Sequence, residues 1–167
     1  MRNLVMILAG VALLMVQGVI ALHLPSERLA PALVLPVVLF MAVGDFSLAR
    51  GVSLSFVLGY LADVFSGGSM GLWTFTLVSV FLLSRVAGLK LFLHGVVFQV
   101  LMTFVASMVA GVEMMSLLLV FDRRPLNVLA ALGVVAAQSV ATAASAPAVF
   151  ALVRRLPVGA SAAEELA

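Results

Sequence analysis

The chain has 167 residues, of which 65% are hydrophobic and 10% charged, and its mean hydropathy is +1.31. A soluble domain is about 45–50% apolar and about 25% charged, so polar side chains cannot cover this chain's apolar surface and lipid must be its solvent. The formal charge is +2 and there is no cysteine, which excludes disulfides, thiolate metal sites and cysteine nucleophiles.

The first apolar segment, Leu4 to Leu22, follows Arg2. It is too long for a signal peptide and lacks an A-x-A cleavage pattern, so a first transmembrane helix is expected. Gln17 and Gly18 near its far end suit packing against a neighbouring helix. A polar connection, His23 to Ala30, leads to a second segment from Pro31 to about Phe46. Pro31 fits a first helical turn, and Pro36 is expected to kink the segment. Gly44-Asp45 and Arg50-Gly51 mark a return to water.

The third segment, Val52 to Phe65, is short for a span of about 20 residues. It either crosses with its turn sunk below the surface or forms a re-entrant hairpin with the fourth, Met70 to Val86. The fifth, Leu91 to Phe121, exceeds a 30 Å core and must tilt or protrude. The turn Asp122-Arg123-Arg124-Pro125 follows. The sixth runs from Leu126 to Val153, with Pro147 as a kink and Arg154-Arg155 as its stop. Residues 1–155 are expected to form one six-helix transmembrane domain, and residues 156–167 a short disordered cytosolic tail.

The pI near 9.9 does not point to nucleic acid, because the basic residues stand singly or in pairs at segment ends. They read as topology signals. With the N-terminus inside, Arg2, Arg50, Arg85, Lys90, Arg154 and Arg155 lie on the inner face, against Arg28, Arg123 and Arg124 outside. The positive-inside rule therefore places both termini in the cytosol.

Polar and small residues gather on two segments. On the fifth, Gln99, Thr103, Ala106, Ala110 and Glu113 recur at i+3 or i+4. On the sixth, Ala130, Gly133, Ala137, Ala141, Ala144 and Ala148 form a small-residue ridge beside Gln138, Thr142 and Ser145. Two readings stay open for these faces: packing of the six helices against each other, or docking of another membrane protein.

The acids demand a reason, since an acid at the bilayer centre costs roughly 2.5–3.5 kcal/mol on insertion scales. Asp63 and Glu113 both fall in the outer half of the bundle. Asp63 either caps a helix end or pairs with an outer arginine, or the two acids line a cavity or docking groove. A proton relay lacks partners in the inner half, which holds only Asp45 near the surface. Ser66-Gly67-Gly68-Ser69 is a weak anion-nest signal, with no lysine within a turn. His94 reads as an interfacial histidine. No HExxH, zinc-ligand cluster, Walker loop or GxGxxG occurs, so no metal and no cofactor is expected.

The run Gly59-Tyr60-Leu61-Ala62-Asp63-Val64-Phe65-Ser66-Gly67-Gly68-Ser69-Met70-Gly71 carries the pattern G-x3-D-x2-S-G, a small polar residue, then L/M-G. In a short hydrophobic chain with six spans, this resembles the MreD family of bacterial rod shape-determining membrane proteins. The likeness extends through the layout of residues 4–155. The chain departs from it in the extra glycine of Gly67-Gly68 and in a tail rich in Ala and Glu. The resemblance implies an all-α polytopic bundle similar to the substrate-binding S components of energy-coupling factor transporters. It implies a non-enzymatic scaffold in the bacterial inner membrane that works in lateral peptidoglycan synthesis. Its partners there would be MreC, RodA, a class B penicillin-binding transpeptidase and the MreB filament. Gly59, Asp63, Ser66, Gly67, Gly71 and Glu113 become structural or docking candidates, and Gln99, Thr103, Ala106, Ala110, Gly133, Ala137 and Ala141 the helix-packing face. The alternative is a vitamin-binding S component, which would need an outer pocket with convergent polar groups. A small lipid-processing enzyme is disfavoured by the absence of any His, Asp and Ser constellation.

Overall fold

Ten consecutive apolar residues, VLPVVLFMAV, set the architecture. A helix that is apolar on every side has no face to offer water and belongs in the middle of a bundle. The computed structural model, which describes residues 2–23, 30–44, 46–67, 70–87, 95–121 and 128–155, places them there. The helices are α1 (Arg2–His23), α2 (Val34–Val43), α3 (Leu48–Ser66), α4 (Leu72–Val86), α5 (Val96–Phe121) and α6 (Val128–Arg155). There are no strands among the described residues. Helix α2 packs against all five others. Val37, Val38 and Met41 are wholly buried, and Leu35 and Ala42 nearly so. Around this centre the large apolar side chains point outward, among them Leu8, Phe56, Val105 and Val140. An apolar exterior over an apolar core is the surface of a protein dissolved in lipid.

Four helices, α1, α3, α5 and α6, are long and apolar enough to cross a membrane. The chain is thus an α-helical, multi-pass membrane protein. The short elements are α2, with 10 residues, and α4, with 15. At 1.5 Å per residue they reach about 15 and about 22 Å, against a core of about 30 Å. Shortness was expected of the third segment instead. In the structure α3 begins at Leu48 and has 19 residues, so it can cross unaided. Arg50 and Gly51, read from sequence as a return to water, lie inside its first turns. Gly51 Nα–H donates to Ser47 O at 2.9 Å, and its missing Cβ makes room for the buried ring of Phe81 on α4.

The second segment also starts later than Pro31. Leu33 N–H donates to Pro31 O and Leu35 N–H to Ala32 O, both at 3.0 Å, which makes a tight turn ahead of the helix. Pro36 is then the third residue of α2. A first-turn amide has no acceptor within its own helix, so proline removes no helical hydrogen bond there. Chain direction alternates from helix to helix. The ends of α1, α3 and α5 lie with the starts of α2, α4 and α6 at what is called here the far end, opposite the start of α1. Gly68, Ser69, His94, the Asp122–Pro125 turn and the tail 156–167 lie outside the described residues.

Candidate functional site

Helix α3 ends on Gly67, whose left-handed backbone (φ 60°, ψ 12°) closes the helix without a Cβ penalty. Ser66 Oγ donates to Asp63 O at 3.1 Å in the same last turn. Helix α4 then starts after Gly71, which has φ 97° and no side chain to cap the helix. Its first amides need acceptors, and the surroundings are apolar.

Asp63 supplies them from the neighbouring helix. Its Oδ1 accepts from Trp73 N–H at 2.8 Å. Its Oδ2 accepts from Gly71 N–H at 2.9 Å, Thr74 N–H at 3.1 Å and Thr74 Oγ1–H at 2.6 Å. The side chain is 2% exposed. A carboxylate at a helix N-terminus also meets the positive end of the helix dipole. Charge-assisted bonds of this kind offset the cost of carrying an acid into an apolar interior. Asp63 thus caps a helix end without an arginine partner among the described residues, both of its oxygens being engaged by the start of α4. The amides of Gly71, Trp73 and Thr74 are occupied by the chain's own carboxylate, while the anion-nest reading of Ser66 to Ser69 falls partly outside the described residues.

Gly59 stands one turn before Asp63 on the same face. A Cβ there would lie 2.5 Å from Thr74 Cα. Glycine thus allows the α4 backbone to approach closely enough for the Asp63 bonds to form. Gly59→Ala should therefore push α3 and α4 apart and lower stability by about 1–3 kcal/mol. The check is a denaturation midpoint in detergent micelles, where an unchanged midpoint would remove Gly59 from this role.

A second polar cluster holds the entry to α2. Residues Ala30 to Leu33 are not helical, yet Ala30, Ala32 and Leu33 are buried. Irregular backbone at this depth is tolerated only when other groups satisfy it. Ala32 N–H donates to Thr142 Oγ1 and Leu33 N–H to Gln17 Oε1, each at 3.0 Å. Ala30 O accepts from Gln138 Nε2 at 3.2 Å. Thr142 passes its own hydroxyl hydrogen to Gln138 O at 2.8 Å. At the other end of α2, Arg85 Nη1 donates to Ala42 O and Gly44 O at 3.3 and 3.1 Å. Side chains from α1, α4 and α6 thereby close both ends of the central helix.

The starts of α2 and α4 converge on a cavity of about 20 Å³, lined by Ala32, Leu35, Trp73, Ser107, Gly111 and Gln138 among others. That is room for about one water. A larger open groove, about 490 Å³, lies on the outer flank of α3 and α4 and is almost wholly apolar, with Phe56, Tyr60, Met70 and Phe75 along it.

Of the expected packing residues, Gln99, Thr103, Ala106 and Ala110 form the buried stripe of α5. On α6 the small-residue ridge is not the buried face. The helix buries Ser139, Thr142, Ala143, Ala146, Val149, Phe150 and Val153, while Gly133 and Ala137 are exposed and Ala141 half-buried. The bonds of Thr142 and Gln138 to the α2 entry fix the helix's rotation and turn the small ridge outward. Glu113 is half-buried and takes no part in the Asp63 cluster. Its Oε2 is enclosed without a hydrogen-bond partner, as are the hydroxyls of Ser55, Thr76, Thr103 and Ser139. Among the described residues no group of His, Asp and Glu could hold a metal ion.

Compared with known proteins, the chain matches no family model, no curated protein and no solved structure. The functional reading rests on the residues themselves.

Proposed function

We propose that the chain is a non-enzymatic membrane scaffold of the MreD type, which binds MreC and helps to position lateral cell-wall synthesis. The observation that carries this reading is the convergence of Gly59, Asp63, Ser66, Gly67 and Gly71 on one structural unit. These are the residues of the family-like pattern, and the acid among them accepts four bonds from backbone and hydroxyl donors. A carboxylate that is 2% exposed and holds four donors of the neighbouring helix suits a fold-fixing role better than catalysis. The scaffold would sit in the bacterial inner membrane with six crossings and both termini in the cytosol. Its bundle would be similar to that of the transporter S components, and RodA, the transpeptidase and MreB would be reached directly or through MreC.

The rival S-component reading asks for a pocket of about 300–1,000 Å³ with convergent polar groups. The cavity where the short helices begin holds about 20 Å³, and the larger groove is apolar and open. Neither suits a vitamin. Depletion of the protein in its host, with MreC recovered by affinity purification, tests the scaffold. Conversion of rods to spheres and loss of the complex are expected. Normal rods with impaired vitamin uptake would replace this reading with its rival.

A further inference from the structure

Two acids stand among the described residues, and they differ. Asp63 has four bonds, whereas Glu113 has none among the described residues and one oxygen enclosed. The described bases do not answer it. Arg85 is committed to the end of α2, Arg50, Arg154 and Arg155 lie at the near end, and His23 bonds to Val19 O on its own helix. Gly111 packs against Val135 of α6, and two residues further on, about 200° around the helix, Glu113 is turned away from α6. Its helix neighbours Val109, Val112 and Ser116 are exposed, and the Ser116 hydroxyl is returned to Val112 O at 2.8 Å. The carboxylate therefore borders a lipid-facing flank of α5. It lies eight residues before Phe121, about 12 Å along the axis.

We propose that Glu113 receives a lysine or arginine carried by a membrane-spanning helix of a partner protein, laid along the Val109, Val112 and Ser116 flank of α5. The inference rests on the scaffold reading, which supplies such a partner. The complementarity is of charge: in a medium of low dielectric an unpaired carboxylate attracts a cation far more strongly than in water. A lipid ammonium group stays with the headgroups, whereas a basic residue on a spanning helix is brought to this depth by its own backbone.

The test uses the full chain in nanodiscs, co-expressed with MreC from the same host. E113Q should melt no lower than wild type and E113K should still fold, because Glu113 makes no bond among the described residues and its charge is uncompensated there. Recovery of MreC should fall at least about tenfold in E113K and by less in E113Q. Changing a basic residue in the MreC span to Glu should restore binding to E113K. Equal recovery by wild type and E113K would overturn this inference and leave the scaffold reading intact. Failure of wild type to recover MreC would instead overturn the scaffold reading. A marked loss of melting temperature in E113Q, or rescue of E113K by R28E, R123E or R124E, would place the partner within the chain and overturn the proposal. So would a stabilisation of wild type by phosphatidylethanolamine vesicles that E113Q abolishes.

Discussion

Asp63→Ala is expected to cost about 3–6 kcal/mol, enough to deplete the folded protein from the membrane. Three backbone N–H groups, of Gly71, Trp73 and Thr74, and the Thr74 hydroxyl would lose their acceptor together. A buried donor left without an acceptor costs about 1–3 kcal/mol, and relaxation keeps the sum below simple addition. The total approaches the whole stability of an ordinary domain, about 5–15 kcal/mol. Asp63→Asn separates charge from shape. The amide keeps one acceptor oxygen but turns an NH₂ donor toward the remaining N–H groups, so roughly half the loss is expected. The order wild type, Asn, Ala in steady-state level and in denaturation midpoint is the signature of a cross-helix cap. An Ala variant that accumulates normally but does not recover the proposed partner, MreC, where wild type does, would move Asp63 from the fold to the docking surface.

How far these roles were legible in sequence depends on the distance over which each is made. The break after α3 is local chemistry: an acid late in an apolar run, then glycines, of which Gly67 and Gly71 take the left-handed conformation that glycine favours. What sequence could not say is that the acceptor for the start of α4 lies eight to eleven residues upstream on another helix. The central place of α2 was readable from its lack of any polar side, but its start was not. Pro31 to Leu33 is as apolar as the helix that follows, and hydropathy does not distinguish an apolar turn from an apolar helix. The rotation of α6 was not legible for a related reason. Alanines occur on every side of that helix, so no stripe of them marks the core. The rotation is set by Thr142 and Gln138, whose partners are more than a hundred residues away.

Those long-range bonds give the second large expected effect, and its sign separates two physical accounts. Gln17→Leu and Thr142→Val both raise hydropathy in membrane-spanning helices. If burial in lipid were the deciding term, each would stabilise or be neutral. Each also strips the acceptor from one amide of the α2 entry, Leu33 for Gln17 and Ala32 for Thr142. An orphaned amide in an apolar interior outweighs the gain from the added apolar atoms, so each single change should lose about 1–3 kcal/mol. The double variant should lose less than the sum, because both acceptors hold the same short turn, and once one bond is gone the turn can shift to spare the other. A coupling of about 0.5–3 kcal/mol in a double-mutant cycle is the scale for residues sharing one element. Ser145→Ala is the matched control. Its hydroxyl returns to Thr142 O on the same helix at 2.7 Å, so its removal orphans no amide and should stay within about 0.5 kcal/mol. Unfolding midpoints in micelles decide the matter. If Gln17→Leu and Thr142→Val match wild type, the entry to α2 is held by apolar packing alone. If they fall as expected, the buried centre of this bundle depends on polar side chains from α1 and α6 that hydropathy alone would count as defects.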